Sequence, residues 1–434
     1  MESELVPKKF TLFQQSKDGI TYRIPALVYL KSSKSFLAFA EKRSSVSDND
    51  AECLVMRRGH FNGDSVEWEE PINEIKEAQK LGFRTMNPCP VFEEKNGVLF
   101  LFFICVKKTV SEFRQIFTGT NAARLCYVCS KDEGAMWSNL TDLTKSVIGD
   151  KTQNWATFAV GPGHGIQLQS GRLIIPAYMY YIHVRWRKFQ LPCFTKPHSF
   201  NFYSDDYGKN WKIGDIIARS KTVECEMAEI LCQNDKCVLY CNARTPHHCR
   251  VEAVSNNCGS EFEKAHLASK LVEPPHGCQG SVVSFVVSED YHEERCPATK
   301  KEHFDLMASG GRSWLLFSHP VSKNKRADLG VYLNKSPLDF SGWEYPWIIN
   351  HGPSGYSDLA VCREGRLFGC LFECGGVHAC QEIAFTIFPL ESVMQGKKMV
   401  VSSKSKKQGN TCHVHALVVG TLFFILFFIF FFTE

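Results

Sequence analysis

The chain has no long run of helical hydrophobic periodicity, no acidic or basic block in its body and no apolar segment near its start. Each absence removes a class of protein. Without a 3.6-residue apolar period the body is not a helical bundle. A net charge of only +4 over 434 residues argues against a nucleic-acid partner. Met1–Phe10 lacks the hydrophobic core of a secretory signal. The 19 cysteines are odd in number and follow no regular framework, so reduced thiols in a cytosol-facing body are expected. Cys232, Cys237, Cys241, His247, His248 and Cys249 match the spacing of no common zinc module, and no metal is expected. Gly161-Pro162-Gly163-His164-Gly165 lacks the Lys-Ser/Thr of a phosphate loop and reads as a turn. Asn139-Leu140-Thr141 matches a glycosylation sequon, but in a body that is not translocated it reads as an ordinary turn.

What is present favours strands. Apolar residues make up 44% of the chain and aromatics 12%, with 33 Phe and eight Trp. The most informative stretch is Ser204–Trp211, read as S-x-D-x-G-x-x-W. An upstream copy falls at Ser130, Asp132, Gly134 and Trp137, and a worn one at Ser255, Asn257, Gly259 and Phe262. Each comes after a short strand-like run: Arg124–Cys129, Asn201–Tyr203 and Arg250–Val254. The pattern suits a hairpin turn, since Asp or Asn can accept from nearby amides, Gly permits φ > 0 and the aromatic packs beneath. A hairpin repeated at such intervals points to radially repeated sheets, a β-propeller. Further strands are expected at Ile20–Leu30, Phe36–Ala40, Asn96–Val106, Leu173–Tyr181, Val238–Asn242, Val282–Val287, Trp314–Ser318, Gly330–Asn334 and Leu367–Glu373. Pro25 places its strand at an edge or a bulge. Pro71–Lys80 is expected as a short helix, Glu41–Asp50 as a charged loop and residues 288–312 as an insertion between strands.

Arg23, Glu224, Arg244, Arg326 and Glu373 lie in or beside otherwise apolar strand-like segments. A buried charge costs several kcal/mol unless it is paired. Any one of the five could be a structural ion pair; together in one propeller-like chain they suggest a polar site at the hub.

The motifs resemble those of the exo-α-sialidases (neuraminidases), in particular the vertebrate plasma-membrane-associated, ganglioside-preferring group. Tyr22-Arg23-Ile24-Pro25 is similar to the family's YRIP signature and the Ser-x-Asp turns to its Asp boxes, over about Gly19 to Phe388. The resemblance implies an all-β, six-bladed β-propeller. It also implies that Arg23, Arg244 (in Asn242-Ala243-Arg244) and Arg326 form an arginine triad for the sialic acid carboxylate, which guanidinium forks recognise better than lysine. By the same resemblance Glu373 holds the first arginine, Tyr356 (in Gly355-Tyr356-Ser357-Asp358) is the nucleophile and Glu224 its base. Asp48 is the general acid/base, with Asp50 an open alternative two residues on. Arg43 is a fourth arginine, and Glu112, Tyr178 and Tyr180 contact the N-acyl and glycerol groups, although for the tyrosines strand packing would serve equally. Asn87 and Gln279 have at most supporting roles. Sialidases are the exception to two-carboxylate glycosidase chemistry. A neutral phenol avoids the repulsion a carboxylate would meet at an anomeric carbon that itself bears one, but needs a base to take its proton.

The expected organisation is a catalytic propeller over residues 1–395, a basic and polar linker over 396–415 and a hydrophobic membrane-anchor segment over 416–432. From Ala416 to Phe432 every residue is apolar except Gly420 and Thr421. The expected partners are gangliosides, other sialoglycoconjugates and membrane lipid, with no cofactor, at the plasma membrane or endomembranes. The competing reading is a non-catalytic Asp-box propeller that binds sialoglycans or protein partners. Such a protein would be expected to have lost one of Arg23, Arg244, Arg326, Tyr356 or Glu224, and all five are present.

Overall fold

The computed structural model describes residues 6–63, 65–186, 191–217, 221–232, 237–287, 313–363 and 366–396. The expected insertion over 288–312, nearly all of the linker and the whole hydrophobic segment 416–432 lie outside them. Among the described residues helix is confined to Glu112–Thr118, residues 390–396 and a few short turns, and no helix is long and apolar enough to cross a membrane.

The rest is antiparallel sheet in a propeller-like arrangement. Four sheets have four or five strands each and a fifth has seven, so the expectation of six separate sheets needs correcting. The reason is the 17-residue strand Trp347–Arg363. Its first part pairs with Ala327–Asn334 and its second, from Ser354, with Leu367–Cys374, which welds two four-stranded units into one sheet. Lys9–Gln14 pairs with Glu382–Pro389 and so ties the first described strand to the last.

Thr21–Leu30, Phe83–Glu93, Trp155–Val160, Cys225–Leu231 and Ser281–Val286 each begin a sheet at one edge. These strands pack against one another and against Trp347–Arg363 around a common axis. Pro25 is therefore on an edge strand, and the register shift between Arg23 and Ala26 supplies the bulge as well. The apolar faces between neighbouring sheets form the core, with Phe36, Phe39, Phe102, Phe103, Phe158 and Phe200 fully buried.

The repeated turn leads out of the third strand of a sheet toward the fourth. Ser130 Oγ accepts from Gly134 N at 2.7 Å and donates to Asp132, whose Oδ1 accepts from Met136 N at 2.9 Å. The same bonds recur at Ser204 with Gly208 and Asn210, and at Ser255 with Gly259 and Glu261. Trp211 packs edge-on to Phe102 at 4.6 Å. Asn334 begins a further degenerate turn in the equivalent place, its Oδ1 accepting from Ser336 N at 2.8 Å. With no Ser-x-Asp-x-Gly pattern, that one was invisible in the sequence.

Two expected elements differ, the first being the charged loop Glu41–Asp50, whose first three residues end the strand Ser35–Arg43. Pro71–Lys80 is not a helix but the two-residue strand Asn73–Glu74 and then a single 3-10 turn at Lys76–Ala78. Asn73–Glu74 finds a backbone partner in Ala51–Phe61, which a helix there would forgo.

Candidate active site

The site lies at one end of the axis, where Arg23 and Tyr356 stand on inner strands and Arg43, Tyr178, Tyr180 and Glu373 on the strands paired with inner ones. In Thr21–Leu30 the bulge places Ile24 at φ +60° and turns Arg23 toward Glu373. Arg23 Nε donates to Glu373 Oε1 at 2.6 Å and Nη2 to Oε2 at 3.3 Å. The same carboxylate accepts from Ile24 N at 2.9 Å and from Tyr356 N at 3.0 Å. One buried acid thus sets an arginine and the backbone of the tyrosine together.

The Tyr356 ring lies between two guanidinium groups, Arg23 at 5.5 Å and Arg326 at 5.4 Å from its centroid. Its hydroxyl donates a short hydrogen bond to Glu224 and receives one from Arg244 Nη1 at 3.0 Å. Arg244 Nη1 also reaches Glu224 Oε2 at 2.6 Å. Burial and the negative charge of Glu224 push the Tyr356 phenol well above its ordinary pKa, despite the nearby arginines. It therefore rests as a neutral phenol already bonded to a base.

Two of the arginines are aimed by backbone carbonyls. Arg244 donates to His276 O at 3.0 and 2.6 Å, and Arg326 to Gly277 O at 3.3 and 3.0 Å. Gly277 has φ +69°, and a Cβ there would stand 2.8 Å from Arg244 Cγ, so the loop admits no side chain at this point. Beneath it, buried Glu273 accepts from Arg250, His319, Thr245 N and Cys278 N. Burial favours its neutral form, yet the charges of Arg250 and His319 hold its carboxyl down to about 2.

Arg43 is wholly buried, bonded to Glu41 at 2.5 and 2.8 Å and to Asp48 at 2.5 Å. Glu41 also accepts from Asn87 N at 2.6 Å, which locates Asn87 as a support. Burial works to raise the Asp48 carboxyl, but Arg43, Arg23 and Arg326 together bring it below its usual value. Asp50 is held instead by Ser45 Oγ at 2.6 Å. Of the two candidate acids, Asp48 is the one facing the arginines.

Glu112 opens the helix Glu112–Thr118, which Ser111 caps. The residue is exposed, and desolvation and then the charges of Glu224 and Asp48 push its carboxyl up to about 7. Tyr178 and Tyr180, on one face of Leu173–Trp186, have rings 6.4 Å apart, and both phenols are raised by burial first and then by Glu112 and Glu224. Eleven of the residues singled out from the sequence therefore meet at one end of the axis, with Asn87 behind Glu41 and Gln279 bonded to the deeper Glu226. Sequence reading missed Glu41, Glu273 with Arg250, and the carbonyls of His276 and Gly277. A Glu two residues before Arg43, at the end of an apolar run, was the one available signal.

One pleat deeper, Glu226 and Asp358 face the axis below Glu224 and Tyr356 with His164. This is the one group among the described residues whose donors lie close enough together for a metal ion. Every carboxylate oxygen there already accepts a bond. Asp358 takes Leu27 N at 2.6 Å, Ser281 Oγ at 2.9 Å and His164 Nδ1 at 2.7 Å; Glu226 takes Val282 N at 3.0 Å and Gln279 Nε2 at 3.1 Å. The group staples four inner strands, which cannot pair with one another through their edges. A cavity of about 1270 Å³ is lined by His164 of this group and by Leu27, Ala228, Val282 and Leu359, and none of the arginines of the site nor Tyr356 lines it.

A family model described as a BNR repeat-like domain matches residues 34–368. Among curated relatives, Sialidase-3 of Homo sapiens is 52% identical over 397 residues, 88% of this chain and 92% of its own length. Sialidase-2 of Mus musculus is 43% identical over 394 residues, covering 89% and 96% respectively. The solved Hadza microbial sialidase Hz136 superposes with a TM-score of 0.67 at 22% identity, over 89% of this chain and 69% of its own, a likeness of fold. The chain belongs to the exo-α-sialidase family, as an enzyme close to vertebrate Sialidase-3.

Proposed function

We propose that the enzyme is a retaining exo-α-sialidase that removes terminal sialic acid from gangliosides, and from oligosaccharides and glycoproteins. The observation that carries this is the neutral Tyr356 hydroxyl bonded to both Glu224 and Arg244 between two further arginines. Arg23, Arg244 and Arg326 clamp the substrate carboxylate. Tyr356 Oη attacks the anomeric carbon as Glu224 takes the phenolic proton, and Asp48 protonates the departing glycosidic oxygen. Water, deprotonated by Asp48, then attacks the same carbon, and the phenol leaves with its proton restored from Glu224. The resting Asp48 is ionised by the arginines; a bound substrate carboxylate would neutralise part of that field and let the acid hold its proton. Glu373 and Arg43 position the clamp, while Glu112, Tyr178 and Tyr180 face the remaining substituents.

In this reading the seven-stranded sheet counts as two blades, giving a six-bladed propeller over residues 1–395. Residues 396–415 form a linker and 416–432 a membrane anchor, with the enzyme at the plasma membrane or endomembranes. The 17 apolar-rich residues would span about 25 Å as a helix, a little under a hydrocarbon core of about 30 Å. Tyr356→Phe should keep binding of a soluble sialoside and lose nearly all turnover. Near-wild-type kcat would defeat the mechanism. The first sugar released by the wild-type enzyme, monitored by proton NMR, should have the α configuration of the substrate.

A further inference from the structure

We propose that Lys9 and Cys374 are the two ends of a reversible covalent bridge, in which one oxygen atom joins Lys9 Nζ to Cys374 Sγ. The two residues are 365 positions apart, on the first described strand and on the strand that bears Glu373. Lys9 Nζ nevertheless stands 3.4 Å from Cys374 Sγ. Glu382, on the strand between them, accepts from both at its Oε1, from Lys9 Nζ at 2.8 Å and from Cys374 Sγ at 3.2 Å. Its other oxygen accepts from Thr11 Oγ1 at 2.5 Å.

An amine, a thiol and a carboxylate are thus held in mutual contact by backbone pairing. Cys374 lies opposite Glu382 in the register, and Lys9 and Thr11 lie opposite Thr386 and Ala384. Groups fixed in this way react as though at very high concentration. The thiol is fully buried, whereas the Lys9 side chain is 40% exposed, so the group opens to solvent on its amine side. Burial and then Glu382 push the Cys374 thiol up to about 12. A buried, protonated thiol is a poor partner for exchange with a second thiol. Dioxygen, small and apolar, can reach it where a second thiol cannot.

Dioxygen is the oxidant. It inserts into the S–H bond to give Cys374 Sγ–O–O–H, which oxidises sulfur and forms the S–O bond. The Lys9 ammonium passes a proton to Glu382, and the free amine attacks the oxygen attached to sulfur. The N–O bond forms as the O–O bond breaks, and the departing hydroxide takes a second proton from nitrogen and leaves as water. Glu382 then returns its proton to solvent. One amine, one thiol and one dioxygen give the N–O–S bridge and one water. Two molecules of a dithiol reverse it, restoring amine and thiol with release of water as each dithiol becomes a disulfide. The bridge closes the ring of sheets covalently at the seam where Lys9–Gln14 meets Glu382–Pro389. That seam adjoins Glu373, which holds Arg23 and the Tyr356 amide.

The test uses the full chain in mild detergent, one sample held in oxygen-saturated buffer and one kept anaerobic with dithiothreitol. Free thiols are alkylated, and the digests are compared by mass spectrometry. The oxygen-treated wild type should show the Lys9 and Cys374 peptides joined, one oxygen heavier and two hydrogens lighter than their sum. Dithiothreitol should abolish the joined species. So should Lys9→Arg, which keeps a cation beside Glu382, and Cys374→Ser. The oxygen-treated wild type should also melt about 5 °C above its reduced form, because the bridge closes most of the chain into one loop. Neither variant should show that difference. Cys374 recovered as a free thiol after oxygen treatment overturns the proposal, and so does Cys374 found only as a disulfide or a sulfinic acid. A joined species that has lost two hydrogens and gained no oxygen would mean a direct N–S bond, and would overturn the bridging oxygen.

Discussion

Glu373 holds four donors at once, and its removal should be costly in a way that can be partitioned. Its two oxygens accept from Arg23 Nε and Nη2 and from the amides of Ile24 and Tyr356, and the residue is 1% exposed. Breaking a buried pair from one side leaves a charge without a partner and costs about 3–5 kcal/mol. Glu373→Met should fall in that range. Arg23→Met should cost a similar amount because it strands the carboxylate, which keeps only the two amide donors. The double substitution removes both charges, so it should cost about 2–3 kcal/mol less than the sum of the singles. The residual cost would be the two orphaned amides, about 1–3 kcal/mol each. Urea unfolding of the full chain in mild detergent, monitored by tryptophan fluorescence, gives all four stabilities. Additivity within about 0.5 kcal/mol would mean that Arg23 and Glu373 do not act as a unit. The account of how Tyr356 is set in place would then be wrong.

The same geometry sets three further outcomes. Asp48→Asn should slow natural sialosides, whose alcohol leaving groups need a proton, far more than an aryl sialoside, while Asp50→Asn should affect both alike; the reverse pattern would move the acid to Asp50. Glu112 is neutral below and anionic above its raised value of about 7, and an anion there repels the substrate carboxylate. Wild-type kcat/KM should accordingly drop as pH rises through that region and Glu112→Gln should lose that limb; an identical pH profile would release Glu112 from the site. Gly277→Ala, forced against Arg244 Cγ and the Thr245 carbonyl at a positive φ, should cost stability and raise KM for a carboxylate-bearing sialoside by tenfold or so, and an unchanged KM would show that the loop yields without moving the arginine.

The chain announced its fold where local chemistry is dense. Ser204–Trp211 and its copies are closed by short-range bonds, which a single sequence displays. The outer and middle strands, such as Val98–Lys107 and Leu367–Cys374, also read clearly because they are unbroken apolar runs. Of the inner strands, Thr21–Leu30 and Ser281–Val286 were read as well, but two others were not. Phe83–Glu93 carries Pro88 and Pro90, and Trp347–Arg363 carries Gly352, Pro353 and Gly355, so both look like loops. They persist as strands because one edge faces the axis, where bulges and missing donors are tolerated and side chains such as Asp358 supply the cross-links. The charged residues of the site were legible as anomalies in apolar surroundings. Their supports were not, since Glu41, Glu273 and the carbonyls of His276 and Gly277 act through contacts across 20 to 50 residues that only folding brings together. The number of sheets was misjudged for a related reason: nothing local in Trp347–Arg363 signals that it serves two neighbours.

The central claim is that Tyr356 becomes covalently linked to the sugar. A 3-fluorosialosyl fluoride, which loses its anomeric fluoride to Tyr356 and whose electron-poor ring then slows departure from the enzyme, should trap that species. After a brief incubation, acid quench and proteolysis, mass spectrometry should find one added sialosyl mass on the peptide containing Tyr356, absent in Tyr356→Phe and fading with time in the wild type as water completes the reaction. An adduct on Glu224 or Asp48, or full turnover of the probe with no adduct at any quench time, would contradict the account.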